Sequence, residues 1–144
     1  HTMGIANVMK MLELKDKKTH SPYDLLDIIQ GGIGTKAITA LEKNLDIKSV
    51  QMARILGIST KTLERYKADP RKKLTPAVSE RIMRIATLKE RALEVFDDDT
   101  KANGWLRSPS IALGWRAPMD IMPFNLGIDL VLNELGRIEH GLVS

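Results

Sequence analysis

The sequence predicts an all-α protein made of two small modules joined by a long helix. Three observations carry this. The 144 residues are 43% hydrophobic but only 4% aromatic, so Leu, Ile, Val, Met and Ala must fill the core, which suits helix packing. Apolar residues recur at intervals of three or four along most segments. Gly and Pro fall at segment ends and not inside apolar runs.

The same composition sets bounds. There is no cysteine, which excludes disulfides, a thiol nucleophile and a cysteine-based zinc site. No apolar run approaches the ~18 residues needed to span a bilayer, and no signal peptide is visible, so a cytoplasmic protein is expected. His1-Thr2 ahead of Met3 reads as a remnant of cloning and is set aside. The net charge of +4 conceals an asymmetry. Lys48 to Arg91 holds twelve Lys/Arg against four Asp/Glu, whereas Asp97 to Ser144 holds four against seven. A basic block followed by an acidic one fits two different partners, and the basic one fits a polyanion such as DNA. Solvation of helix faces is the plainer reading of any single charge run.

Residues 3–20 are Lys-rich with scattered Met and Leu, which fits a loose arm or a short packing segment. Ser21-Pro22 opens the first clear helix, with Ser as N-cap and Pro at the first helical position. Its apolar positions are Tyr23, Leu25, Leu26, Ile28 and Ile29, and Gly31-Gly32 ends it. Thr35 is placed to cap a second helix whose stripe is Ala37, Ile38, Leu41 and Leu45.

The next two helices, Lys48–Leu56 and Thr60–Ala68, have helix-turn-helix spacing. Ala53 supplies a small residue where two helices cross, and Gly57 follows four residues later, where the backbone turns sharply. Ile58 and Leu63 occupy the aliphatic positions, and Ser59 is a natural N-cap. An ordinary helical hairpin is the alternative. If the motif holds, Thr60, Lys61, Thr62, Glu64, Arg65 and Lys67 face DNA. Arg65 suits guanine or a phosphate, whereas Glu64 costs affinity unless it accepts from a cytosine amine or orients Arg65. Asp69-Pro70 ends the helix. Arg71, Lys72 and Lys73 follow, as phosphate contacts or as a solvated turn.

Thr75-Pro76 starts a long helix to about Phe96, with Val78, Ile82, Ile85, Lys89, Ala92 and Phe96 in its stripe and Lys89 expected at the stripe's edge. Asp97-Asp98-Asp99 marks a boundary and can cap a short helix to Leu106. Short turns at Pro109–Leu113 and Pro118–Met122 precede a last helix from about Phe124 to His140, with Leu126, Leu130, Val131 and Leu135 or Ile138 as its apolar face and Gly141 as its stop.

This last block is distinctive in order as well as content. It reads Trp105-Leu106, Pro109, Ala112-Leu113-Gly114, Pro118, then Gly127 and a helix ending in Leu135, Arg137-Ile138 and Gly141. Over Asp97–Gly141 this resembles the toxin-binding domain of the Xre/MbcA/ParS antitoxins, and the helix-turn-helix module resembles the same family less strongly. The resemblance implies domains at 21–96, a DNA-binding module with its connecting helix, and 97–144, a toxin-binding module. It implies an antitoxin that binds a cognate RES-domain toxin, which consumes NAD or transfers ADP-ribose from it, by blocking the toxin's active site. It also implies autorepression at operator DNA and a homodimer. The toxin-binding candidates are then Arg116, Arg137, Glu139, His140, Gly141 and Ser144. Trp105 is expected to be buried and structural.

Catalytic signatures are missing. His1, His20 and His140 have no ligand-spaced partners, and there is no phosphate-binding loop or dinucleotide fingerprint. Three adjacent aspartates at a helix start are caps far more often than a metal site. No enzyme activity, cofactor, metal or small-molecule substrate is expected, and no membrane partner. The alternative functions are a dimeric repressor whose second domain binds a ligand or dimerises, and an adaptor that never touches DNA.

Overall fold

The computed structural model describes residues 2–15 and 21–143. It is all-helical: α1 (Thr2–Met11), α2 (Pro22–Gly31), α3 (Lys36–Leu45), α4 (Ser49–Leu56), α5 (Thr60–Ala68), α6 (Pro76–Phe96), α7 (Asp99–Arg107), a 3-10 turn (Ile111–Leu113), α8 (Pro118–Ile121) and α9 (Asn125–Val143). Among the described residues the β-pairing amounts to two isolated bridges, Gly34 with Lys73 and Ser110 with Arg116. The chain divides into two compact units, residues 1–87 and 88–144, and α6 runs through the division.

The first unit buries Val8 and Met9 of α1 and Leu12 just after it, so the described part of the expected arm is a packing segment, and its residues 16–20 lie outside the described residues. Helix α3 buries the whole expected stripe, Ala37, Ile38, Leu41 and Leu45. Ser21 caps α2 by accepting from the Asp24 amide at 3.2 Å, and Thr75 caps α6 by accepting from the Val78 amide at 3.2 Å. Thr35 does not cap α3. Its backbone is already helical, and its hydroxyl donates instead to the Asp69 carbonyl at 3.4 Å. The α2–α3 connection is tied to the start of α6: the Ile33 amide donates to the buried Ser79 hydroxyl at 3.0 Å, and Leu74 donates to the Ile33 carbonyl at 2.9 Å. Gly32, at φ +80°, sits against the Leu74 carbonyl, where no side chain fits.

In the second unit Lys89 is not at the edge of its stripe. It is fully buried, its ammonium 2.8 Å from Asp99 Oδ1 and donating to Asn103 Oδ1 at 3.0 Å. A buried ammonium is tolerated only with such partners. Asp98 caps α7 by accepting from the Thr100 amide at 3.3 Å. Leu106 is fully buried, but Trp105 is only half-buried, its ring tilted on Phe96 with centroids 5.5 Å apart. Helix α9 buries Val131 and Leu135 as expected, together with Ile128, but leaves Leu126 and Leu130, which were expected on the same face, outside. It also continues through Gly141 to Val143, so Gly141 does not stop it.

Helices α8 and α9 touch at Gly127, where a methyl group would land on the Ile121 carbonyl. Gly127→Ala should therefore destabilise the second unit by about 3 kcal/mol, since a rigid backbone must move. Gly104→Ala is the opposite case: a Cβ there meets nothing within 4 Å. Inside α7 it should stabilise by about 0.5–1 kcal/mol. Thermal melts of both variants check the pair of signs.

Candidate functional site

Two surfaces carry the sequence-derived candidates, one in each unit. In the first, α4 and α5 are joined by Gly57 at φ +70° and Ile58, with Ala53 and Leu63 buried. Ser59 caps α5: its hydroxyl accepts from the Thr62 amide at 3.0 Å and donates to Thr62 Oγ1 at 3.0 Å. Arg65 Nη2 then donates to Thr62 Oγ1 at 3.2 Å, which draws the guanidinium toward the N-terminal end of α5. Thr60, Lys61, Glu64 and Arg65 are exposed, and Thr62 is half-buried. Arg71, Lys72 and Lys73 are exposed in the following loop, where Lys72 Nζ lies 5.8 Å from the Tyr66 ring centroid.

Lys67 departs from this group. Its ammonium lies 2.8 Å from Glu42 Oε1 and 2.9 Å from Glu42 Oε2, and it donates to Ser49 Oγ at 2.6 Å. Glu42 is nearly buried. Lys67 therefore ties α5 to α3 and α4 and is not held out toward a ligand. The sequence offered a signal for this, since a lone acid inside the apolar stripe of α3 needs a cation to answer it.

In the second unit the toxin-binding candidates are dispersed. Arg116 is exposed beside the 3-10 turn, its Nη1 donating weakly to the Gly114 carbonyl at 3.4 Å. Arg137 binds Glu134 through two hydrogen bonds of 2.7 and 2.6 Å. That carboxylate, by hydrogen bond and then by charge, raises the Arg137 guanidinium above its ordinary value. Glu139 pairs with Arg91 at 2.7 Å. His140 and Gly141 are exposed on the last turns of α9, and Ser144 lies outside the described residues.

The sequence reading missed an apolar groove of about 350 Å³ that includes Leu113, Ile121, Phe124, Leu126 and Leu130, with Arg116 on its wall. Beside it a tight loop exposes Ile111 and Trp115. The loop is closed by Ser110 donating to the Arg116 carbonyl at 3.0 Å and Trp115 donating to the Ser110 carbonyl at 2.9 Å. A signal was present: Leu126 and Leu130, four apart, form a stripe on α9 distinct from Ile128, Val131 and Leu135.

The fold and surfaces define a helix-turn-helix protein that carries a second helical module with an exposed apolar groove. Comparison with known proteins narrows this. Residues 24–86 match the family model for the antitoxin Xre-like helix-turn-helix domain, and residues 91–141 match that for the antitoxin Xre/MbcA/ParS C-terminal toxin-binding domain. An antitoxin Xre of Yersinia enterocolitica is 31% identical over 121 residues, covering 83% of this chain and 81% of the relative. An antitoxin Xre of Photorhabdus laumondii is 29% identical over 118 residues, covering 81% and 79%. A Prs ADP-ribosylating antitoxin of a Sphingobium species is 25% identical over 130 residues, covering 84% and 81%. The chain belongs to the Xre/MbcA/ParS antitoxin family. It is an antitoxin and not an enzyme, with a helix-turn-helix domain and a C-terminal domain that binds the cognate toxin.

The Lys67–Glu42 pair yields a stability test. Glu42→Ala leaves the half-buried Lys67 ammonium without its countercharge and should cost about 1–3 kcal/mol. Lys67→Met keeps the aliphatic stem but strands the carboxylate, and should cost a similar amount. Urea denaturation measures both, and a wild-type midpoint for Glu42→Ala would show that the pair contributes nothing.

Proposed function

We propose that this antitoxin neutralises a RES-domain toxin that consumes NAD or transfers ADP-ribose from it, and that it represses its own operon. The observation that carries the reading is the coupling of two matched modules in one chain. One presents exposed cations on and after a helix-turn-helix recognition helix, and the other matches a toxin-binding domain. The name of the Sphingobium relative, a Prs ADP-ribosylating antitoxin, supports a link to NAD-derived chemistry. Two copies would set two recognition helices on a symmetric operator, so the working form is a homodimer in the cytoplasm.

Inhibition runs through the end of α9. From Gly136 to Gly141 no residue is fully buried, although Ile138 and Glu139 are half-covered and Glu139 is paired with Arg91. An NAD pocket must hold a pyrophosphate, and it does so with arginines or backbone N–H groups. Glu139 is an anion of the right kind for such a pocket. Because Glu139 already pairs with Arg91, entry exchanges one arginine partner for another.

Two measurements test the two halves. Lys61→Ala combined with Arg65→Ala should abolish operator binding and leave toxin neutralisation intact. Wild-type operator affinity should fall ~10³-fold or more between 50 and 200 mM salt if six or more phosphates are contacted. A salt-independent affinity, or an undiminished double variant, refutes the DNA assignment. Removing Gly136 to Ser144 spares Leu135 and should leave DNA binding unchanged while restoring the toxin's NAD consumption. Full inhibition by the truncated protein would place the blockade within 97–135.

A further inference from the structure

We propose that the groove between the 3-10 turn and α9 is the anchoring site for the toxin, separate from the helix end that blocks its active site. It takes an apolar segment of the toxin that carries a carboxylate for Arg116. This rests on the antitoxin reading above and adds a second, distinct contact to it.

Three observations favour this occupant. The groove lies wholly within residues 112–130, inside the stretch 91–141 that matches a toxin-binding domain. Between its lining residues Gly114 and Arg116 the chain carries an unusual tryptophan. Trp115 is 69% exposed and has φ +63°, directly after Gly114 at φ +67°. Bulky residues avoid this left-handed region, and strain of this kind collects at ligand clamps and other functional sites. An exposed ring in a strained backbone contributes little to the fold, whereas tryptophan is enriched among the residues that dominate protein interfaces. The third observation is charge. The lining contains Arg116 and no carboxylate, so a groove packed on its own copy would set that cation against a lining with nothing to answer it. A partner that supplies an acid beside its apolar anchor does answer it.

Geometry makes the site testable without unfolding the module. Trp115→Gly removes the ring and relieves the left-handed strain, so it should not lower the melting temperature. Leu130 is 45% exposed, so Leu130→Asp puts a charge in the groove without entering the core. The probe is a RES-domain toxin of the kind proposed above, its affinity for this antitoxin measured by calorimetry. Both variants should weaken binding by ~30-fold or more, the effect of losing an interface hot spot. Arg116→Glu should weaken it as well. The truncation that removes residues 136–144 should still bind the toxin while failing to inhibit it. If Trp115→Gly and Leu130→Asp bind like wild type, the groove proposal is overturned and the antitoxin reading stands. If they change only the oligomeric mass in sedimentation equilibrium, the groove joins two copies of this chain and the proposal is again overturned. If the wild-type chain does not bind the toxin at all, the choice of toxin and the proposal both fail.

Discussion

The ammonium of Lys89 is the constraint around which the second unit is arranged. It lies in the middle of a 21-residue helix, on the face that must be buried, and it is fully removed from water. An isolated charge in that position is prohibitive, so the chain has to return acceptors to it. The acceptors are Asp99 and Asn103, a helical turn apart on α7. Helix α7 must therefore begin almost at once after α6 ends. The turn is made at Asp97 with φ +60°, an αL conformation that Asp tolerates better than most residues, and Asp98 caps the new helix. With that corner set, Trp105 reaches back to Phe96, and Ala102 and Leu106 enter the core. A run of three aspartates thus divides its labour among a turn, a cap and a countercharge, and no metal is needed to explain it.

Legibility in the sequence followed the range of the physics involved. Helix starts at Ser21-Pro22 and Thr75-Pro76, the stop at Asp69-Pro70 and the turn at Gly57 depend on backbone groups within a few residues, and these were readable. The family pattern in the last block was readable because it consists of ordered residues at fixed distances. What could not be read were the choices that depend on distant partners. A lysine in an apolar stripe lies at the edge or in the core according to whether acids return to it. Helix α9 carries two apolar stripes, and periodicity alone does not say which of them meets the core. Gly141 resembles a helix stop, yet glycine only permits an ending and does not require one.

The same distinction refines the electrostatics of the basic block. Of its twelve cations, Lys67, Lys89 and Arg91 are held in ion pairs within their own units. Arg81 has its guanidinium lowered from the ordinary value by burial and by the neighbouring charge of Arg84. Five of the eight that remain, Lys61, Arg65, Arg71, Lys72 and Lys73, lie exposed on α5 and the loop after it, while Lys48 and Arg54 are exposed at α4 and Arg84 is half-buried on α6. A raw charge count overstates the attraction, whereas subtracting the internal pairs leaves most of the remaining cations where a recognition helix and its flank would meet a phosphate backbone.

In the C-terminal module stability and recognition use opposite sides of one helix. At Gly127 the absence of a Cβ lets α8 approach α9 until backbone meets backbone. That contact secures the side of α9 bearing Ile128, Val131 and Leu135, and it leaves Leu126 and Leu130 on the groove side with Phe124. Apolar residues left outside a small domain weaken its solubility without adding to its core, so a groove of this kind is maintained against a cost. The cost is justified only if something covers it. The separation of the two stripes means the surface can change to suit a partner while the core that supports it stays fixed.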